Sequence, residues 1–148
     1  MVIEPKMNEH ISKTLDTQSI AVLATSKNDE PYSCLVGFEV TDAFRTFVFA
    51  TMRQRLKYRN ILANPRVTLT IDDRDKTESD FNKTSSITVI GTARETEGAE
   101  RSKYATLLVK RHRTLQSFVD SPDCAVIKVA VDKIYFVSEF ESVVVIGF

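Results

Sequence analysis

The sequence is poor in the residues that build metal centres and disulfide frameworks. Its 148 residues contain two cysteines, Cys34 and Cys124, and two histidines, His10 and His112. Two cysteines are too few for a disulfide scaffold or a cysteine-rich zinc site, and neither histidine has a second plausible ligand near it in the sequence. We therefore expect two reduced thiols, and the composition argues against a metalloenzyme.

The chain also lacks an excess of charge of one sign and any long hydrophobic run. Twenty Lys and Arg balance twenty Asp and Glu, so no overall field favours nucleic acid or an anionic membrane. The apolar runs, such as residues 143–146, are far shorter than the roughly 20 residues of a membrane helix, and residues 1–16 are too charged for a signal peptide. The sequence predicts one cytoplasmic domain that binds neither nucleic acid nor a membrane.

Hydrophobic periodicity and turn residues predict an all-antiparallel, mainly β fold. Strands follow one another without strict alternation with helices, which favours a barrel over a doubly wound parallel sheet. A glycine in the fifth predicted strand, Gly91, indicates a β-bulge or the close approach of a backbone or ligand, and is a candidate site. The charged residues 72–83 predict a solvated loop, open or folded as a lid. The predicted helices cover 5–17, 53–62 and 98–118, and the predicted strands cover 19–25, 32–40, 46–51, 67–71, 86–95, 125–137 and 142–146.

Four cations without an acidic neighbour occur where a predicted strand meets a predicted helix. They are Arg53, Arg55, Lys57 and Arg59. The start of a helix presents unpaired backbone amides, and Arg and Lys add charge-assisted hydrogen bonds, so this segment predicts a phosphate site. Arg53 with Lys57, and Arg55 with Arg59, are four residues apart and would each share one helix face. The alternative is a solvated basic helix that pairs with the acidic loop over 72–80.

Five segments in a fixed order carry a family resemblance. The sequence IAVLAT at 20–25 is followed by PYSCLV at 31–36, FVFAT at 47–51, KYRNILANPRV at 57–67 and ITVIGTA at 87–93. In this order they resemble the flavin-binding split barrels of the pyridoxamine 5'-phosphate oxidase-like superfamily, over nearly the whole chain. The resemblance implies a six- or seven-stranded antiparallel split β-barrel with about three flanking helices. It also implies a homodimer with flavin mononucleotide (FMN) sites at the interface.

The resemblance further implies which residues hold the cofactor. Thr51 and Lys57 match residues that bind the flavin phosphate, and Arg53 or Arg55 would supply a charge that relatives place at the position of Leu56. The strand carrying Ser33, Cys34, Leu35 and Val36 matches the strand that lines the isoalloxazine ring, and Ser86 matches a position near the polar edge of that ring. Asn60 is interpreted as structural. No catalytic side chain and no metal ligand is predicted.

Three functional hypotheses follow from these residues and this resemblance. The first is a flavin-dependent oxidoreductase that passes electrons from a nicotinamide donor to a small organic acceptor. The Arg-rich carboxy-terminal motif of the vitamin-converting oxidases is absent, so pyridoxamine phosphate oxidation is not assigned. The second is a protein that binds flavin or haem without turnover, with His112 as the first haem ligand to suspect. The third is a reductase that uses the deazaflavin cofactor F420.

Overall fold

The computed structural model of the chain describes residues 3–74, 84–138 and 142–148. Most of the predicted loop over 72–83 lies outside these ranges. The described residues form four α-helices, namely α1 (Pro5–Thr17), α2 (Leu56–Ala63), α3 (Gly98–Arg111) and α4 (Gln116–Val119). They also form eight strands, namely β1 (Ile20–Lys27), β2 (Glu30–Gly37), β3 (Glu39–Thr41), β4 (Thr46–Met52), β5 (Arg66–Asp72), β6 (Ser86–Glu95), β7 (Cys124–Ser138) and β8 (Ser142–Gly147).

The strands form one antiparallel sheet that curls into a split barrel. The order across the sheet is β2-β1-β5-β6-β7-β4-β3, and β8 pairs with β7. The two edge strands, β2 and β3, are separated in sequence only by Phe38, so the two edges of the sheet lie next to each other. This confirms the predicted fold class. If the bent β2–β3 segment is taken as one strand, the sheet has the seven strands predicted.

The barrel interior is filled by alternate residues of the strands. Leu23, Leu69, Val89 and Ile127 are fully buried, and their sequence neighbours are more exposed on β1, β5 and β6. This is the period-2 pattern of strands that bury one face. Helix α2 covers one end of the barrel, and β4 leads directly into its connecting turn. The junction of β4 and α2 therefore lies at that end of the barrel.

Helix α2 ends as predicted and begins later than predicted. It runs to Ala63, just before Asn64 and Pro65, but it begins at Leu56 instead of Arg53. The backbone N–H of Arg53 donates to the carbonyl of Asp123 at 3.0 Å, which holds Arg53 in the turn before the helix. The prediction that Arg53 and Lys57 share a helix face is therefore wrong. The same prediction for Arg55 and Arg59 is also wrong, because Arg55 is the N-cap residue and has an extended backbone.

The predicted helix over 98–118 is divided at His112. There the backbone has φ −124° and ψ 76°, outside helical values, and the imidazole Nε2 lies 2.8 Å from the carbonyl oxygen of Phe38. The side chain of Arg111 donates to the carbonyls of Leu15 and Gln18. Contacts to the barrel and to α1 thus end α3, and a short 3₁₀ turn, Arg113–Leu115, leads into α4.

The bulge predicted at Gly91 is present. The pairing of β6 with β7 shifts register between Ile90 and Gly91. A Cβ atom at Gly91 would lie 2.4 Å from the carbonyl oxygen of Ala130, so only glycine fits. The close approach at Gly91 is therefore that of the backbone of β7. Among the described residues, no helix is long and apolar enough to span a membrane.

Candidate functional site

A cleft of about 510 Å³ lies at the junction of β2, β4 and α2. Its walls come from the end of β4, the turn that follows, the first residues of α2, the aromatic ring of α4 and one residue of β2. These residues are Tyr32, Thr51, Met52, Gln54, Arg55, Leu56, Lys57, Arg59 and Phe118. A smaller cleft of about 290 Å³ shares Tyr32 and Leu56 with it and continues along β2. The volume suits a small-molecule ligand.

The cleft is positively charged. Arg55, Lys57 and Arg59 line it, and no acidic residue is among its described lining residues. Within the described ranges, none of these three side chains makes an ion pair or a hydrogen bond. Helix α2 begins at the same place, has no side-chain cap and has no acidic residue in its first turn. Cationic side chains and free helix amides together form the donor set that a phosphate group needs.

Lys57 lies on the side of α2 that faces the barrel. It is four residues before Ile61, which is 3% exposed in the core, so the two share a helix face. Its charge reaches the thiol of Cys34 on β2: burial raises the pKa of Cys34, and the ammonium of Lys57 lowers it in part. Lys57 and Cys34, two residues that the sequence predicted for one site, are thus brought together.

Thr51 is buried in the floor of the cleft, with 1% of its surface exposed. Its hydroxyl Oγ1 donates to the carbonyl of Met52 at 3.1 Å. A hydroxyl carries a single proton, so donation to a ligand oxygen would replace the bond to Met52. Below it, Asn60 donates from Nδ2 to the hydroxyl of Thr25 at 3.0 Å, in agreement with the structural role predicted for Asn60.

Arg53 points away from the cleft. Its guanidinium donates to the Glu95 carboxylate, at 2.6 Å from Nη2, and to the carbonyl of Pro122 at 2.8 Å. The hydroxyl of Tyr58 donates to the same carboxylate at 2.6 Å. Hydrogen bonds from Arg53 and then Tyr58 hold the pKa of Glu95 below its ordinary value. This network joins the turn, α2 and the end of β6, so Arg53 fixes the position of the cleft wall without lining it.

The predicted ring-binding residues lie on different faces of the sheet. Val36 is 6% exposed and packs in the core, so only its backbone can meet a ligand. Ser33 and Leu35 point outward, and Leu35 is 67% exposed. Ser86 begins β6, at the opposite end of that strand from Glu95. Within one chain, Ser86 is therefore not brought to the cleft, and any contact with a ligand there requires a second copy.

His112, the predicted haem ligand to suspect, makes contacts that hold the fold. A carbonyl oxygen only accepts, so the Nε2 that faces Phe38 carries the hydrogen. The ring also packs against Gly37, where an added Cβ would lie 3.3 Å from the imidazole. In the described part of the chain, no group of three or more His, Cys, Asp or Glu could hold a metal ion.

Six lining residues were not assigned to the cofactor from the sequence: Tyr32, Met52, Gln54, Leu56, Arg59 and Phe118. Arg59 had a visible signal, because it belongs to the run of cations before Asn60. Phe118 had none, because it reaches the cleft only after α3 has ended and the chain has turned into α4.

The family model described as pyridoxamine 5'-phosphate oxidase matches residues 7–138. The chain belongs to this family. No curated protein sequence matches the chain.

Three solved structures illustrate the similarity. The heme binding protein from Mycobacterium smegmatis has a TM-score of 0.86 and 19% identity, covering 99% of this chain and 60% of that chain. General Stress Protein 26 from Bacillus anthracis has a TM-score of 0.71 and 24% identity, and the match covers 96% of this chain and 98% of that chain. HutZ, the heme storage protein from Vibrio cholerae, has a TM-score of 0.76 and 14% identity, and the match covers 90% of this chain and 94% of that chain. At these identities the similarity shows the fold, and this chain spans about 60% of the length of the mycobacterial protein.

Proposed function

We propose that this member of the pyridoxamine 5'-phosphate oxidase family binds FMN in the cation-lined cleft and acts as a homodimeric oxidoreductase. Electrons would pass from a nicotinamide donor to a small organic acceptor. The observation that carries the proposal is the joint presence of Thr51, Lys57 and the uncapped start of α2 at one cleft without an acidic residue among its described lining. That donor set fits a phosphate monoester.

The residues of the chain would bind and orient the cofactor. Lys57 and the first amides of α2 would neutralise the phosphate. Tyr32 and Phe118 offer aromatic surface on the walls, and β2, an edge strand of the sheet, offers its backbone to a flat ring. When bound, the flavin supplies the redox chemistry. The protein supplies position and exclusion of water.

The outer face of the sheet supports a homodimer. Strand registers place six outward residues in one row across β2, β1, β5, β6, β7 and β8, and none is charged: Leu35, Val22, Thr70, Thr88, Tyr135 and Val145. Val145 is 52% exposed, and Leu35 is more exposed still. An uncharged row with two exposed apolar side chains supports the proposal of a protein interface on this face. A second copy on this face would bring its own Ser33 and Ser86 towards the bound ring.

Substitution of one leucine tests the dimer. Leu35→Asp would bury a charge in the proposed interface, so we expect monomers in analytical ultracentrifugation and weaker FMN binding. Leu62→Asp is the matched control, because Leu62 is 65% exposed on α2 and lies outside the row. It should leave both properties unchanged. A dimer that survives Leu35→Asp would contradict the proposed interface.

Steady-state kinetics test the proposed activity. The FMN-loaded protein should oxidise reduced nicotinamide, with an added quinone or flavin-type acceptor, faster than the same concentration of free FMN. A rate equal to that of free FMN, despite bound cofactor, would show a cofactor-binding protein without turnover.

Haem binding is the second candidate, and the structural similarity to two proteins named for haem favours it. In this chain, His112 would have to bind iron through Nδ1, because Nε2 faces the Phe38 carbonyl. His112→Ala should then abolish a Soret band of the haem-loaded protein. A Soret band that persists in His112→Ala would exclude this ligand.

A further inference from the structure

We propose that Arg55 and Arg59 form a second anion subsite in the cleft, for a phosphate or carboxylate group in addition to the flavin phosphate. This inference rests on the proposed function, because it takes Lys57 as the residue that holds the flavin phosphate. It assigns Arg59, which the family resemblance does not mark, a role in ligand specificity.

The geometry of α2 separates the two subsites. A helical residue advances about 100° around the axis, so Lys57 lies roughly 200° from Arg59, while Arg55 is the N-cap residue that precedes the helix. Lys57 shares the barrel-facing side with the buried Ile61, whereas Arg55 and Arg59 are exposed. All three side chains nevertheless line the same cleft. The positive charge is therefore spread over two positions. We call the position of Lys57 the inner subsite, and we call Arg55 and Arg59 the outer pair.

Arg55 and Arg59 lack the polar partners that most other arginines have, and within the described residues they share this lack with Arg45 and Arg113. Most other arginines donate to a carboxylate or to carbonyl groups, whereas within the described residues Arg55 and Arg59 have no ion pair or hydrogen bond. Arg55 at the N-cap position and Arg59 on α2 line the same cleft, so their like charges repel each other, and a bound anion would relieve that repulsion. A guanidinium also matches the oxygens of phosphate and carboxylate in bidentate geometry. The paired arginines are Arg53, Arg66, Arg74, Arg94, Arg101 and Arg111.

The charge of one phosphate does not require all three cations. A phosphate monoester carries about −1.5 to −2 charges at pH 7. Lys57 and the start of α2 supply most of the opposing charge, which leaves the outer pair for a further anionic group. That group could be an extension of the cofactor beyond its first phosphate, or a phosphate on a separate molecule such as a phosphorylated nicotinamide donor.

Two titrations distinguish these sources. In the first, Kd values for FMN and for flavin adenine dinucleotide, which carries a second phosphate, are measured for wild type and for Arg55→Gln/Arg59→Gln. In the second, the FMN-loaded proteins are titrated with adenosine 2',5'-bisphosphate. Arg113→Gln is the matched control, because Arg113 is an exposed arginine on the 3₁₀ turn and does not line the cleft.

We expect the double variant to weaken one of the two additional ligands by roughly threefold to tenfold per arginine, the range of a partly exposed charge-assisted bond. FMN affinity and the control should be nearly unchanged. A selective loss in the first titration identifies a cofactor extension, and one in the second identifies a separate molecule. Equal affinities for both ligands in wild type, double variant and control would overturn the proposal. An equal loss of FMN and dinucleotide affinity would also overturn it, because the arginines would then serve the first phosphate.

The failure of the proposed function has a different signature. If the protein binds no flavin, or if Lys57→Gln leaves FMN affinity unchanged, the assignment of the inner subsite fails. Titration of the cofactor-free protein with adenosine 2',5'-bisphosphate still measures the outer pair, because it requires no bound flavin.

Discussion

Replacement of Lys57 by glutamine should weaken FMN binding and leave riboflavin binding unchanged. Lys57 is half-buried at the mouth of the barrel and has no acidic partner among the described residues, so its removal costs the ligand a charge-assisted bond. Such a bond contributes about 1.5–3 kcal/mol when protected from water and less when exposed. For a half-buried group we expect about 1–2 kcal/mol, or roughly a 5- to 30-fold increase in Kd.

The quenching of flavin fluorescence on binding measures this effect for both ligands. Riboflavin lacks the phosphate, so wild type and Lys57→Gln should bind it equally well. Lys110→Gln is the control for a loss of one positive charge, because Lys110 is exposed on α3 and outside the cleft. An equal loss of affinity for FMN and riboflavin would refute the reasoning, since Lys57 would then act on the fold or on the ring.

Two further predictions concern stability. Gly91→Ala should lower the free energy of unfolding by about 1–3 kcal/mol, because its Cβ would overlap the Ala130 carbonyl; an unchanged urea midpoint would contradict this. Hydrogen bonds from Arg53 and Tyr58 lower the pKa of Glu95 below its ordinary value of 4.5. The Glu95 carboxylate therefore stabilises the fold above pH 4.5, and this contribution is lost as the pH falls through the lower pKa of the folded state. Between about pH 5 and pH 3, wild type should therefore lose more stability than Glu95→Gln. Urea midpoints that fall by the same amount in both proteins would contradict this.

Local sequence signals predicted the elements that local chemistry determines. Pro5 opens α1, and Pro65 lies just beyond the end of α2. Strand β6 covers the residues predicted from their alternation, including the bulge at Gly91. The sequence predicted a barrel but not the order of its strands, because strand register and barrel closure depend on contacts between distant segments.

Long-range contacts account for what the sequence did not predict. α3 ends at His112 because its ring meets the Phe38 carbonyl, 74 residues away in sequence. Arg53 leaves the cleft because Glu95, 42 residues away, binds its guanidinium. No spacing or residue type in the sequence identifies Phe38 or Glu95 as the partner of these side chains. For the same reason Phe118, which α4 brings to the cleft, could not be predicted.

The most direct test of flavin binding is the visible absorption spectrum of the purified protein, recorded before and after addition of FMN and removal of unbound ligand. The account predicts a two-band flavin spectrum that remains with the protein and is lost when Lys57 is replaced and excess FMN is removed. A single intense Soret band from the protein as purified, or a protein that remains colourless after incubation with FMN, would contradict it.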